Sequence, residues 1–173
     1  MQNRKSDLIL ENFGMEAAAP LHASHAETFV RMGFSIHASM AESARYHTVI
    51  TGKLWKSPPE DRRRCIRLCA SLLVEYLGRN GFCRDTRILV AGIGNPNLAS
   101  DSVGPKTCGH LVVTRGDRLL TGLGFPEITA VCPGVPSRTG VDTAEQIALL
   151  AGHIGADLIL TVDAVAARTC ERL

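Results

Sequence analysis

The chain has 173 residues, 45% of them apolar and 21% charged, with a formal net charge of +2. That length and balance suit an ordinary α/β domain with a real core. The small net charge argues against direct nucleic-acid binding or an anionic membrane partner, and no segment supplies the roughly 20 apolar residues that span a bilayer. Six cysteines (Cys65, Cys69, Cys83, Cys108, Cys132 and Cys170) are scattered without a CxxC pair. This disfavours a zinc or disulfide framework and favours reduced thiols in a cytoplasmic compartment.

Residues 1–45 read as an N-terminal segment of uncertain structure. Ser6 to Glu11 is a short helix start, with Ser6 or Asp7 as its cap. Met15 to Ala26 has no clear period. Thr28 to His37 alternates loosely, as a strand broken at Gly33, and Met40 to Arg45 is ambiguous. Residues 46–173 read as the α/β core, and Tyr46 to Thr51 opens it as a β-branched strand. Ser57-Pro58-Pro59-Glu60 predicts a helix start with a capping box, and the helix runs to about Leu77. Its main stripe is Ile66, Cys69, Leu73 and Tyr76, with Cys65, Leu68 and Leu72 beside it. Arg62, Arg63, Arg64 and Arg67 form a solvated face, and Gly78 or Gly81 ends the helix.

Arg87 to Pro105 (RILVAGIGNPNLASDSVGP) organises the rest. Ile88 to Ala91 is a continuous apolar strand. Gly92, Gly94 and Asn95-Pro96-Asn97 turn the chain, and Asp101 precedes a helix through Val103, Cys108, Leu111 and Val112. Glu127 to Val131 is a short strand leading into the glycine- and proline-rich loop Cys132 to Gly140. Asp142 and Glu145 cap a helix that covers Ile147 to Ile154 and stops near Gly155. Leu158 to Val162 is a last apolar strand, with Asp163 at its end. This order predicts an α/β fold, a mostly parallel twisted sheet with helices on both faces. The chain stops soon after that strand, so the core is expected to be incomplete at its C-terminus.

The chemistry centres on Asp101 and Asp163. Two parallel strands that end at one sheet edge bring both acids to one crevice. Capping alone also accounts for Asp101, and loop amides alone satisfy Asp163. In a shared dry site one carboxyl keeps its proton, so one acid serves as general base on water and the other as general acid. That is amide hydrolysis without a metal or cofactor. Gly92-x-Gly94 lacks the third glycine of a dinucleotide fingerprint, since Asn97 stands there. His110 and His153 read as surface or packing residues rather than metal ligands, and no GxSxG motif occurs.

GIGNPNLASDSVGPK, HLVVTR, CPGVPSRTGVDTAEQI and ADLILTVDAVAARTCERL, in that order, resemble the germination protease family of endospore-forming bacteria. RKSDLILE (residues 4–11) resembles the segment near that family's mature N-terminus, and YHTVITGKLW is more loosely similar. The resemblance implies a fold similar to the hydrogenase-maturation proteases. It implies endoproteolysis of small acid-soluble spore proteins in the spore core during germination, a zymogen with a short propeptide, and a homotetramer. The family's proposed catalytic aspartates fall on Asp101 and Asp163. Gly94, Asn95, Pro133, Gly134, Thr139 and Gly140 are then the substrate-binding residues of the two loops. In the related metal-dependent maturation proteases a glutamate follows the first aspartate; here that position is Ser102. Only a few residues precede the N-terminal block, which leaves room for a very short propeptide at most, and the chain matches the N-terminal part of a family roughly twice its length, on the usual scale of domains. Two other readings stay open, a non-catalytic binding or assembly module of the same fold and a metal-dependent maturation protease.

Overall fold

The computed structural model describes residues 25–41 and 44–165. The expected helix at Ser6 to Glu11, most of the aperiodic stretch that follows, and residues 166–173 lie outside them. Contacts divide the chain at Gly81 and Phe82 into two units.

The first unit opens with an antiparallel meander, β1 (His25–Arg31), β2 (Phe34–Ala41) and β3 (Ala44–Ile50). Instead of one strand broken at Gly33, the chain folds back on itself. Arg31 pairs with Phe34, leaving Met32 and Gly33 as a two-residue turn. Their φ values of 53° and 83° are the left-handed pair that a tight hairpin needs to match strand twist. Helix α1 (Pro59–Arg79) follows. The expected Ser57 box does not form: Pro58 is the cap residue and no side chain caps the helix. A residue before proline is kept extended, so Pro59 holds Pro58 at ψ 152° and the first turn starts beyond the reach of Ser57. At the other end Gly81 takes φ 77° and donates to the Gly78 carbonyl at 3.1 Å, closing the helix as expected.

The packed stripe of α1 is the neighbouring one. Cys65 and Leu68 are buried against Phe34 and Ile36, with Val49, Leu54 and Leu72 partly buried around them. Ile66 remains 66% exposed, and Leu73 and Tyr76 are exposed too. Arg62, Arg63, Arg64 and Arg67 are solvent-facing as predicted.

The second unit is built on a parallel sheet of β4 (Arg87–Gly92), β5 (Glu127–Val131) and β6 (Leu158–Val162), in the order β5-β4-β6. The protein is therefore α/β, but its described strands form two separate sheets, one antiparallel and one parallel, rather than one mostly parallel sheet. Around the parallel sheet lie α2 (Val103–His110), α3 (Arg118–Gly122), α4 (Pro136–Thr139) and α5 (Thr143–Ile154). Alternate residues of β4 face opposite ways. Leu89, Ala91 and the following Ile93 pack on Ile147, Ala151 and Ile154 of α5. On the other face the Cys108 thiol of α2 donates to the Val90 and Val131 carbonyls at 3.8 and 3.5 Å. Helices thus cover both faces of this sheet, as its apolar strands required. Burial pushes the Cys108 thiol up, with Cys132 adding to it. Cys65, Cys69, Cys83, Cys108 and Cys132 are all free.

Three local expectations change. Helix α2 ends at His110, short of Leu111 and Val112, because the chain is drawn onto β5: Thr114 and Arg115 both donate to the Ile128 carbonyl at 3.1 Å. Helix α3 was not anticipated; the Asp117 carboxylate caps it by accepting from the Leu119 and Leu120 amides. Strand β6 lies at an edge of the described sheet, and its residues alternate between half-buried and exposed instead of being buried throughout. Asp142 caps α5 through the Glu145 amide at 3.0 Å, and Gly155 ends it at φ 62°, both as predicted.

A charged clip fixes the starts of β4 and β6. Asp157 accepts from the Arg87 amide (2.9 Å), Nε (3.1 Å) and Nη2 (3.0 Å). These bonds, with Arg87 as the main cause, hold the Asp157 carboxyl down at about 2. A depressed carboxyl contributes stability above its unfolded value of 3.8 and loses that contribution as pH falls through 2. Asp157→Asn should therefore lower the melting temperature slightly at pH 7 and flatten its fall between those two pH values. Both partners are exposed, so the effect is small. Thermal melts of both proteins across that range test it.

Candidate functional site

At the C-terminal edge of the parallel sheet, α2 enters at very short range. The Ile93 amide donates to the Val162 carbonyl at 2.9 Å, extending the β4–β6 ladder by one rung. Gly104, in the first turn of α2, sits on that rung. A Cβ there would lie 2.3 Å from the Ile93 carbonyl oxygen, 2.4 Å from that of Val162 and 2.5 Å from the Ile93 nitrogen. A Cβ on Gly92 would lie 2.3 Å from the Gly104 oxygen. Only glycine fits either position.

This approach sets the loop before α2. A 3-10 turn, Ala99–Asp101, returns the chain over Gly94. Gly94 has φ +124°, and a Cβ there would lie 2.2 Å from the Asp101 carbonyl oxygen and 2.8 Å from its Oδ1. Half-buried Asp101 accepts the Asn95 amide on Oδ2 at 2.7 Å. It is not the cap of α2: Ser102 holds that position, and no side chain caps the helix. Ser102 is 2% exposed and donates to the Ala99 carbonyl at 3.1 Å. The residue after Asp101 is thus a packed hydroxyl.

Asp163 follows β6 directly. Its Oδ1 accepts the Ala164 amide at 2.7 Å. Partial burial raises its carboxyl above the usual aspartate range, the Ala164 amide lowers it, and the Asp101 charge raises it further. The two acids, 62 residues apart in sequence, are therefore within electrostatic reach. The site is wetter than a fully apolar strand end implies, since Asp163 is exposed. Among the described residues, neither Asp101 Oδ1 nor Asp163 Oδ2 accepts a hydrogen bond, which leaves one oxygen of each for water or substrate.

The loop residues divide by role. Gly94 and Asn95 contact Asp101 directly. Asn95 Oδ1 also accepts the Asn97 amide (3.1 Å) and Arg138 Nη1 (3.0 Å). Arg138 was not singled out from sequence, and it ties the two expected loops together; the cue available was a lone cation in a glycine- and proline-rich loop. Pro133 is buried. The Gly134 carbonyl accepts Thr143 Oγ1 at 3.3 Å, and Gly140 ends α4 at φ 70°. The Thr139 hydroxyl donates within its own loop, to the Val135 and Val141 carbonyls. His110 Nδ1 bonds the Lys106 carbonyl in its own helix, and His153 is exposed in the last turn of α5. Among the described residues no three His, Cys, Asp or Glu side chains gather as a metal-binding group, and no helix is long and apolar enough to cross a membrane.

The structure is of the α/β class, with Asp101 and Asp163 both at the C-terminal edge of a parallel sheet. The family model described as germination protease matches residues 33–173. The germination protease of Halalkalibacterium halodurans is 32% identical over 136 residues, which is 76% of this chain and 37% of that protein. That of Clostridium acetobutylicum is 32% identical over 136 residues, 76% of this chain and 42% of that protein, and that of Caldanaerobacter subterraneus is 37% identical over 94 residues, 52% of this chain and 29% of that protein. The chain belongs to the germination protease family, and it spans well under half the length of these relatives.

Two stability measurements probe the site. Gly104→Ala drives a methyl into three backbone atoms that cannot swing aside, and should cost about 3 kcal/mol by urea unfolding, the upper end of overpacking penalties. Asp163→Asn should act the other way. A carboxyl raised in the folded state makes stability fall as pH climbs from its unfolded value of 3.8 through the folded one. The variant should lose that decline and melt at or slightly above the parent temperature at pH 7. A clearly lower melting temperature would instead mark Asp163 as a structural acid.

Proposed function

We propose that this chain carries the acid/base pair of a spore germination endopeptidase, with Asp101 and Asp163 acting on one water and the scissile amide. The observation that carries the reading is geometric: Asp101, on the turn that returns over Gly94, and Asp163, directly after β6, stand at the same C-terminal edge of the parallel sheet, near enough for the Asp101 charge to add to the upward push that burial gives Asp163. Asp163, the acid pushed upward, holds the proton and delivers it to the departing amine. Asp101, oriented by the Asn95 amide, takes a proton from water as the water attacks the carbonyl. Family membership supports peptide hydrolysis as the reaction class. The name these relatives carry supports germination as the setting, and small acid-soluble spore proteins are the substrates we propose.

In the same reading Gly94, Asn95, Pro133, Gly134, Thr139 and Gly140 line the cleft, and Arg138 keeps its two loops in register through Asn95. We extend the proposal to a zymogen that matures by loss of a short N-terminal segment, to assembly as a homotetramer in the spore core, and to a fold similar to the hydrogenase-maturation proteases.

The test is cleavage of a purified small acid-soluble spore protein, followed by mass spectrometry, using the 173-residue chain beside the product of any longer reading frame. Asp101→Asn and Asp163→Asn should each slow cleavage at least about 100-fold, the lower range of a general acid or base contribution. Undiminished cleavage by either variant overturns the mechanism. No cleavage by any parent protein favours a non-catalytic module.

A further inference from the structure

Helix α2 meets the sheet a second time, one turn after Gly104, and there it brings two thiols together. Cys108 lies in α2, and Cys132 is the first residue after β5. The Cys108 sulfur is 3.5 Å from the carbonyl oxygen of Val131, the residue directly before Cys132. The Cys132 sulfur reaches back to the Pro105 carbonyl, in the first turn of α2, at 3.9 Å. Each sulfur thus lies against the backbone segment that carries the other. Gly92 leaves the room for this, since a Cβ on it would lie 2.7 Å from the Cys108 sulfur. Burial first, then the charge of Cys132 and a hydrogen bond to its side chain, push the Cys108 thiol up.

The two thiols differ in access. Cys132 is exposed, whereas Cys108 is 8% exposed. A reagent in solution therefore meets Cys132, and Cys108 is placed to react only with what Cys132 has become. The pair also joins separate elements, because its members stand 24 positions apart in sequence. Cys65 and Cys69 lie four positions apart on one helix, and a bond between them would restrain little that α1 does not already fix.

We propose that Cys108 and Cys132 form a thiol–disulfide pair, closed by a low-molecular-weight disulfide and reopened by excess thiol. In the first step the Cys132 thiolate bonds to one sulfur of the oxidant and expels the other half as a thiolate. In the second the Cys108 thiolate bonds to the Cys132 sulfur and expels the remaining half. Each expelled thiolate takes up a proton equivalent to the one its attacker gave to water. Two protein thiols are oxidised, and one small disulfide is reduced to two thiols. The new bond ties α2, which Asp101 precedes, to the loop that begins at Cys132, where Arg138 and Asn95 already supply a hydrogen bond. The pair stands on two adjacent sulfurs and holds whether or not Asp101 and Asp163 cleave peptides.

The test is oxidation of the reduced 173-residue chain with oxidised glutathione, quenched with N-ethylmaleimide and mapped by peptide mass. The native chain should yield a Cys108–Cys132 cross-linked peptide, lighter by two hydrogens, at least about tenfold faster than the chain in urea, as reacting groups already held together allow. Cys108→Ser should stop the reaction at a glutathione adduct on Cys132, and Cys132→Ser should leave Cys108 unmodified. Closing the loop should raise the melting temperature by roughly 5 °C or more, and dithiothreitol should reverse the rise. A lasting glutathione adduct on Cys132 in the parent chain, cross-links among Cys65, Cys69, Cys83 or Cys170 only, no native-state acceleration, or a melting temperature that fails to rise each overturns the proposal. The parent-chain mapping needs no variant and decides the matter even where a serine variant fails to fold.

Discussion

The close approach of α2 to the ends of β4 and β6 is the constraint on which the candidate site depends. Gly92 and Gly104 let backbone meet backbone with no side chain between them. With α2 seated there, the preceding turn lies back over Gly94 at the end of β4. Asp101 is delivered by that return path, and Asp163 by the strand that α2 touches. Neither acid is placed by its own contacts, which amount to one amide each. The glycines place them by absence of bulk, and the hydrogen bonds only orient what is already there.

The electrostatics follow from the same geometry. The Asn95 amide binds Asp101, and the Asn95 side chain is itself held by Arg138 from the other loop. The environment of Asp163 disfavours its charge, chiefly through burial. Two chemically identical side chains thus meet unequal surroundings. At the opposite end of the same strands, Arg87 and Asp157 form the reverse arrangement, with opposite charges neutralising each other in solvent. One end of the sheet is electrostatically closed; at the other, one oxygen of each acid accepts no hydrogen bond among the described residues.

Much of the parallel unit was legible in the sequence because its signals are local. The run Ile88 to Ala91, the Asp142 cap and the Gly155 stop each act within a few residues. Sequence was less able to choose between alternatives of equal pattern. Helix α1 carries two adjacent apolar stripes, and periodicity cannot say which one meets the sheet; Leu68 and Cys65 do, while Ile66 does not. Ser57 with Glu60 imitates a capping box, but the steric rule for residues before proline keeps Pro58 extended and moves the real start along. The run Leu158 to Val162 is apolar but for Thr161, yet half-buried and exposed residues alternate along β6. The bond from Arg138 to Asn95 spans 43 residues and has no sequence signal of its own. The convergence of Asp101 and Asp163 was inferable only from topology, through the rule that parallel strands end at one edge.

The registers of the two sheets also bear on the order in which the chain acquires structure. In the meander, the first rung joins Arg31 to Phe34, so its loops close over very short separations. In the parallel sheet, Ile88 meets Leu158, and a large segment must lose its freedom before a single rung repays it. Local closure is fast and distant closure slow. Loop closure therefore favours the hairpins over the distant pairing, and the two acids share an edge only once β6 has docked.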